Sequence, residues 1–229
     1  MSLSNVSFAA PEPVRLRGRY VTLEGLSKAA HSPALQHALC DKAGSGLWTY
    51  IPFGPFERID EFFSVMEYTK AQLGWVSFSV LMGGVAQGTL SLMRVRQEHG
   101  SAEVGAVIFG EALQRTTAAT EAIFLLACYV FDQLGYRRFE WKCDERNMAS
   151  KRAARRFGFQ FEGIFRNDMI VNGENRDTVW YAMTDADWRI IKPAYDQWLS
   201  PGNFSAGDQQ RRTLRSLIDQ RLMGTEHSR

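Results

Sequence analysis

The sequence predicts a mixed α/β (α+β) domain, with a central, mostly antiparallel sheet flanked by helices. Three observations predict it. Residues 75–109 read as a meander of three strands, alternating apolar and polar, with turn signals at Gly83-Gly84 and at residues 97–100. Residues 102–134 read as a strand, a small polar turn and a helix whose apolar pattern stops at Gly135. Residues 137–143 then alternate again through Phe139, Trp141 and Cys143, so a helical crossover sets this strand parallel to the one at 102–109.

The elements follow in order. Residues 1–13 are rich in Ser, Asn, Ala and Pro and read as a loosely draped tail. Residues 14–24 alternate on either side of Gly18, which predicts one strand with a bend or bulge. Ser27 is placed to cap a helix running toward Cys40, with Pro33 inside it or marking a restart. Residues 44–56 hold three glycines, two prolines and four aromatics, so they form a loop. Its Trp48 and Tyr50 are candidate walls of a binding site, or else caps on the core. Residues 56–73 form an amphipathic helix ended by Gly74. A short helix at 144–158 turns Ala153, Ala154 and Phe157 inward and stops at glycine. Two long strands, 159–171 and 175–183, flank an Asn172-Gly173 turn. Asp185 or Asp187 caps a last helix to Leu199. The organisation read from this is a tail (1–13), one domain (14–199), and a linker with a helical appendage (200–229) whose helix begins near Asp208 and serves as a homodimer contact or packs on the domain.

Composition narrows the function. The formal charge of +2 over 229 residues gives no bulk-charge drive toward nucleic acid. No apolar run reaches the roughly 20 residues that span a bilayer. Three cysteines and four histidines are scattered without metal-ligand spacing, so no metal site is expected, and a reduced, cytoplasmic setting is the simplest reading.

The turn at 114–119 sits where a helix begins, and a helix N-terminus presents unpartnered N–H groups and a partial positive charge. Its order, Gln114-Arg-Thr-Thr117-Ala-Ala119, resembles the acyl-coenzyme-A pyrophosphate motif of the GNAT N-acetyltransferases, with Thr117 where that family usually has glycine. The order of elements from Val14 to Met183 is similar to that fold, and Asn147-x-x-Ser150 followed by Arg156-Phe-Gly-Phe159 is similar to the segment after its cofactor helix. The nearest branch holds ribosomal-protein N-terminal acetyltransferases and their small-molecule-acetylating relatives.

That resemblance implies acetyl transfer from acetyl-coenzyme A directly to a primary amine, on a small molecule or a peptide. It implies that Gln114, Arg115, Thr116, Thr117, Ala118 and Ala119 cradle the pyrophosphate, and that Val107, Ile108 and Phe109 run beside the pantetheine arm. Asn147 would contact that arm, or cap its own helix. Ser150 would protonate the leaving thiolate, because the helix offers Phe157 where many relatives use tyrosine. Glu103 would be the base, with Glu140, Glu162 and Asp168 on neighbouring strands as alternatives, and would face the acceptor with Trp48 and Tyr50. Arg152, with Lys151 and Arg155, is placed to meet the 3′-phosphate. The alternative is a non-catalytic acyl-coenzyme-A-binding module with a regulatory role.

Overall fold

The structure, a computed structural model, describes residues 8–41, 45–206 and 209–226. Expectations for residues 1–7, Gly44 and Asp208 fall outside them. Eight strands form one sheet in the order β1-β2-β3-β4-β5-β6-β8-β7. The strands are β1 (Leu16–Arg17), β2 (Thr22–Gly25), β3 (Val76–Met82), β4 (Val85–Arg96), β5 (Ser101–Phe109), β6 (Arg138–Asp144), β7 (Gln160–Val171) and β8 (Glu174–Thr184). Every neighbouring pair is antiparallel except β5 with β6, the pair joined by a helical crossover. The helices are α1 (Lys28–Leu35), α2 (Ile59–Leu73), α3 (Thr117–Cys128), α4 (Met148–Arg156), α5 (Asp185–Leu199) and α6 (Leu214–Glu226).

The hairpin glycines act through backbone conformation. Gly83 and Gly84, and Asn172 with Gly173, all have positive φ, which a two-residue turn between right-twisted strands requires. Ser27 caps α1, as its position predicts. Pro33 lies inside α1 rather than at a restart, and the chain continues as a π-helical turn over Gln36–Asp41. Thr184, not Asp185 or Asp187, caps α5: its hydroxyl accepts from Asp187 N–H while the Asp187 carboxylate takes the Thr184 N–H.

Two sequence expectations change. Residues 16–25 are a hairpin, not one bent strand: Leu16 pairs with Leu23 and Arg17 with Thr22. The turn is held from outside, because the buried Glu121 carboxylate on α3 accepts N–H bonds from Arg19, Tyr20 and Val21 at 2.6–2.9 Å. A side chain at Gly18 would collide with that carboxylate. Residues 8–12 are also not loosely draped. Phe8 packs edge-on to Tyr136, Tyr136 Oη donates to Ala9 O, and Glu12 N–H donates to Tyr129 Oη.

The main core lies between one face of the sheet and α3, α5 and α6, and includes Leu126, Phe139, Tyr195, Leu214 and Ile218. A second core, under α1 and α2 on Leu81, Ala86 and Ile108, holds Trp48 and Phe62. Among the described residues no helix is long and apolar enough to cross a membrane.

Candidate active site

The site begins with a break in the sheet. Pairing of β5 with β6 runs only from Ser101–Arg138 to Val104–Trp141, although β5 continues to Phe109 and β6 to Asp144. At the break Ala106 has φ +45° and the register of β5 on β4 shifts. A left-handed residue inserts one extra position and bends its strand away from its neighbour. The two strands therefore diverge, and the backbone groups of β5 that face β6 after Val104 lack a ladder partner there. Val107, Ile108 and Phe109 lie on this divergent edge. Ile108 itself is fully buried, so it is the strand's backbone that offers contacts to the slit.

β5 leads into the mouth of α3. Arg115 takes φ +61°, and Thr116 caps the helix, its hydroxyl accepting from Ala119 N–H at 3.1 Å and donating to Leu113 O at 2.6 Å. Gln114 Nε2 donates back to Phe109 O at 2.8 Å, tying turn to strand. Thr117 is the first helical residue and lines a pocket with Arg115 and Thr116. Its Cβ is thus compatible with an open helix mouth.

Across this pocket stands Arg156, which the sequence reading named only within the Arg156-Phe-Gly-Phe159 segment and gave no role. Its Nη1 donates to Thr120 Oγ1 on α3 at 2.9 Å, and its guanidinium lies over Trp198 and beside Phe157. Burial works against its charge and lowers its pKa. Among the described residues no carboxylate comes within ion-pair distance of it. A half-buried guanidinium without a counter-ion, beside a helix N-terminus, is an electrostatic invitation to an anion. The other α4 cations stand elsewhere: Arg152 and Arg155 are exposed, and Lys151 is tied to Glu145 at 2.8 Å. The far wall comes from the C-terminal segment, through Phe204, Gln209 and Gln210. Nothing local in the sequence marks Arg156; the available signal was its place next to inward-facing Phe157.

Two further groups flank the slit, one on each face of β6. On the helix-covered face, Trp141 Nε1 donates to Ser150 Oγ at 2.9 Å. The indole occupies one acceptor site of the hydroxyl, and Ser150 also hydrogen-bonds toward Cys143, whose thiol is pushed up by burial. Asn147 Oδ1 accepts from Ser150 N–H at 3.0 Å, so Asn147 does cap α4. Its amide N–H₂ is not used in capping. Tyr181 on β8 pairs with Trp141, and its buried hydroxyl has no hydrogen-bond partner among the described residues.

On the opposite face, alternation along β6 places Lys142, whose Nζ lies 2.7 Å from Glu103 and 3.2 Å from Glu140. The ammonium also sits 3.6 Å from the centre of the Trp180 ring. Arg94 approaches Glu103 at 3.7 Å, and Arg96 and Arg138 both reach Glu140 at 2.8 Å. Burial pushes the Glu103 carboxyl up from its ordinary value, against the pull of Lys142 and Arg94. Glu140 is also desolvated, but its hydrogen bonds to Arg138 and Lys142 hold it below the usual range.

The aromatic loop divides between roles. Trp48 is only 4% exposed and packs against Phe53, Phe56 and Phe62, so it is part of the second core. Tyr50 is 38% exposed and donates to Arg146 O, linking this loop to the turn before α4.

A sheet opened beside a helix mouth, with anion-binding and proton-handling groups around the gap, defines an acyltransferase architecture. The chain belongs to the GNAT acetyltransferase family: residues 21–160 match its "Acetyltransferase (GNAT) domain". A GCN5-related N-acetyltransferase from Brucella melitensis is 40% identical and superposes with a TM-score of 0.89, over 95% of this chain and 100% of that one. Two Bacillus subtilis proteins also align. "Uncharacterized N-acetyltransferase YoaA" is 35% identical over 46% of this chain and 55% of its own length. "Putative ribosomal N-acetyltransferase YdaF" is 30% identical over 52% of this chain and 64% of its own length. The aligned stretch thus spans less than two thirds of either Bacillus protein.

Proposed function

We propose that this acyltransferase moves an acetyl group from acetyl-coenzyme A directly to a primary amine. The observation that carries the proposal is the β5–β6 slit, opened at Ala106 and ending on the mouth of α3 where Arg156 has no counter-ion among the described residues. The residues fit the donor. Arg115, Thr116, Thr117 and Arg156 would hold the diphosphate, and the free edge of β5 would bond the amides of the pantetheine arm. When bound, acetyl-coenzyme A supplies an activated thioester.

The remaining work falls to this chain. A free β5 N–H stabilises the oxyanion, Glu103 accepts a proton from the amine on its face, and Ser150 gives its proton to the departing thiolate on the other. Arg152 would lie toward the 3′-phosphate, and Tyr50 would form part of the acceptor wall over Trp48. The acceptor we favour is a peptide N-terminus, supported by the ribosomal N-acetyltransferase named among the relatives. An α-amine of pKa near 8 costs about 1.4 kcal/mol to deprotonate at neutral pH, against about 4.6 for a lysine amine. A carboxylate already held by Lys142 is a modest base, which suits the α-amine better.

The same Lys142 contact leaves room for a second reading, a non-catalytic acyl-coenzyme-A-binding module. Calorimetry with acetyl-coenzyme A, followed by thiol release over a panel of peptides and small amines, separates the two. Binding with thiol release on peptide N-termini is the expected result. Binding with no thiol release on any amine would establish the second reading, and no binding would remove both.

A further inference from the structure

β7 is one edge of the sheet, opposite the two-residue β1, and it is exposed along nearly its whole length. An exposed apolar edge is a surface that needs a partner. It carries Ile164 at 44%, Phe165 at 53%, Met169 at 45% and Ile170 at 82% exposure. The sequence Ile164-Phe-Arg-Asn-Asp-Met-Ile170 is a chemical palindrome about Asn167. Ile164 mirrors Ile170, Phe165 mirrors Met169, and Arg166 mirrors Asp168 with opposite charge.

We infer that β7 pairs with β7 of a second copy of this chain, antiparallel, across a two-fold axis at Asn167. An isologous contact requires a self-complementary surface, and an antiparallel pair about residue 167 sets each residue against its mirror. The faces agree. Ile164 and Ile170 pair with Val179 and Asn175 on β8, so both lie on one face; Phe165 and Met169 pair with Thr178 and Arg176, so both lie on the other. Each apolar residue therefore meets its counterpart on its own side of the joined sheet.

Charge fixes the register. An axis at Asn167 places each Arg166 against the partner's Asp168. Moving the axis to residue 166 or 168 would set arginine on arginine or aspartate on aspartate. Among the described residues neither the Arg166 nor the Asp168 side chain has a hydrogen bond or ion pair; the Asp177 carboxyl is lowered first by the Asn167 N–H and the Asn175 amide, with the charge of Arg166 adding to them. The axis is itself pinned. Asn167 has φ +53°, and its N–H donates to Asp177 Oδ1 at 2.8 Å. That bulge interrupts backbone pairing at the axis, so the side chains on either side supply the contact.

Sedimentation velocity over micromolar to submillimolar protein, on the full chain, tests this. The natural chain is expected to dimerise. Arg166→Asp and Asp168→Arg should each weaken the dimer by about 100-fold or more, because like charges then face each other. The double variant Arg166→Asp/Asp168→Arg should restore it. Circular dichroism checks that all three variants fold, as expected of exposed sites. A natural chain that stays monomeric, a dimer that survives both single changes, or a folded double variant that stays monomeric would each overturn the inference. A monomer in which Arg166→Asp reduces acetylation of a peptide would instead assign the edge to an acceptor strand.

Discussion

The mouth of α3 and the Glu103 face of the sheet border the same slit, yet they hold charge in opposite ways. At α3 the positive groups lack an anion among the described residues: the first-turn N–H groups other than that of Ala119, which Thr116 caps, and Arg156, which has no carboxylate partner. On the Glu103 face every central charge is engaged, with Lys142 shared between Glu103 and Glu140, and Glu140 shared with Arg96 and Arg138. One region is incomplete until an anion arrives. The other is complete by itself, so on the proposed function an acceptor would compete with Lys142 for Glu103. Donor affinity should thus rest on a few atoms, and acceptor use on the balance of a network.

The sharpest way to break this contrast is Glu103→Gln. If Glu103 is the base, kcat/KM for the amine should fall by about 100-fold with little change in acetyl-coenzyme A affinity. The pH profile adds a sign. The base acts ionised, so activity falls as pH drops through its pKa, and burial places that limb above the ordinary carboxylate range. In the Gln variant the limb should vanish. An unchanged profile would remove Glu103 from the chemistry. Stability runs in opposite directions for the two carboxylates. The raised Glu103 costs stability when ionised and regains it as pH falls, whereas the depressed Glu140 contributes stability above its unfolded pKa and loses it as pH falls through the folded one.

Arg156→Gln probes the other region. Loss of a charge-assisted contact to phosphate should raise the KM or Kd for acetyl-coenzyme A by about 10- to 100-fold while kcat holds. Arg152→Gln is the useful control. Arg152 is exposed and Arg156 lines the helix mouth, so the first should matter less. Equal effects would mean that the α4 cations act only as a diffuse field, and the contrast between the two regions would blur.

These regions also differ in how much the sequence disclosed. The strand–turn–helix at 102–134, the parallel crossover and the glycine-stopped α4 were legible because each is written in local periodicity and turn chemistry. The GNAT family followed from their order and is confirmed by the match over residues 21–160. Features made by distant residues were not legible. Glu121 closes the 18–21 turn from about a hundred positions away, which turned a predicted bent strand into a hairpin. Arg156 gains its place only because Trp198 and the segment beyond α5 fold over it. Trp48 and Tyr50 sit two residues apart in one loop, and only tertiary packing sends the first into the core and leaves the second at the rim.

Ser150 tests whether the two faces cooperate. Its hydroxyl receives the Trp141 indole N–H, while Glu103 lies across β6 on the Lys142 side. If acid and base act through the slit from opposite faces, Ser150→Ala should lower kcat by about 10-fold, with KM for both substrates little moved. The effect should be smaller than that of Glu103→Gln, because a thiolate is a good leaving group and water can deliver its proton. Trp141→Phe removes only the indole donor, so it should reproduce part of the kcat loss and leave the acid limb of the pH profile in place. The limb belongs to Glu103, so its survival in both variants is the informative readout. If Ser150→Ala shifted that limb, the serine would be coupled to the base, and the two faces could not be working as separate acid and base.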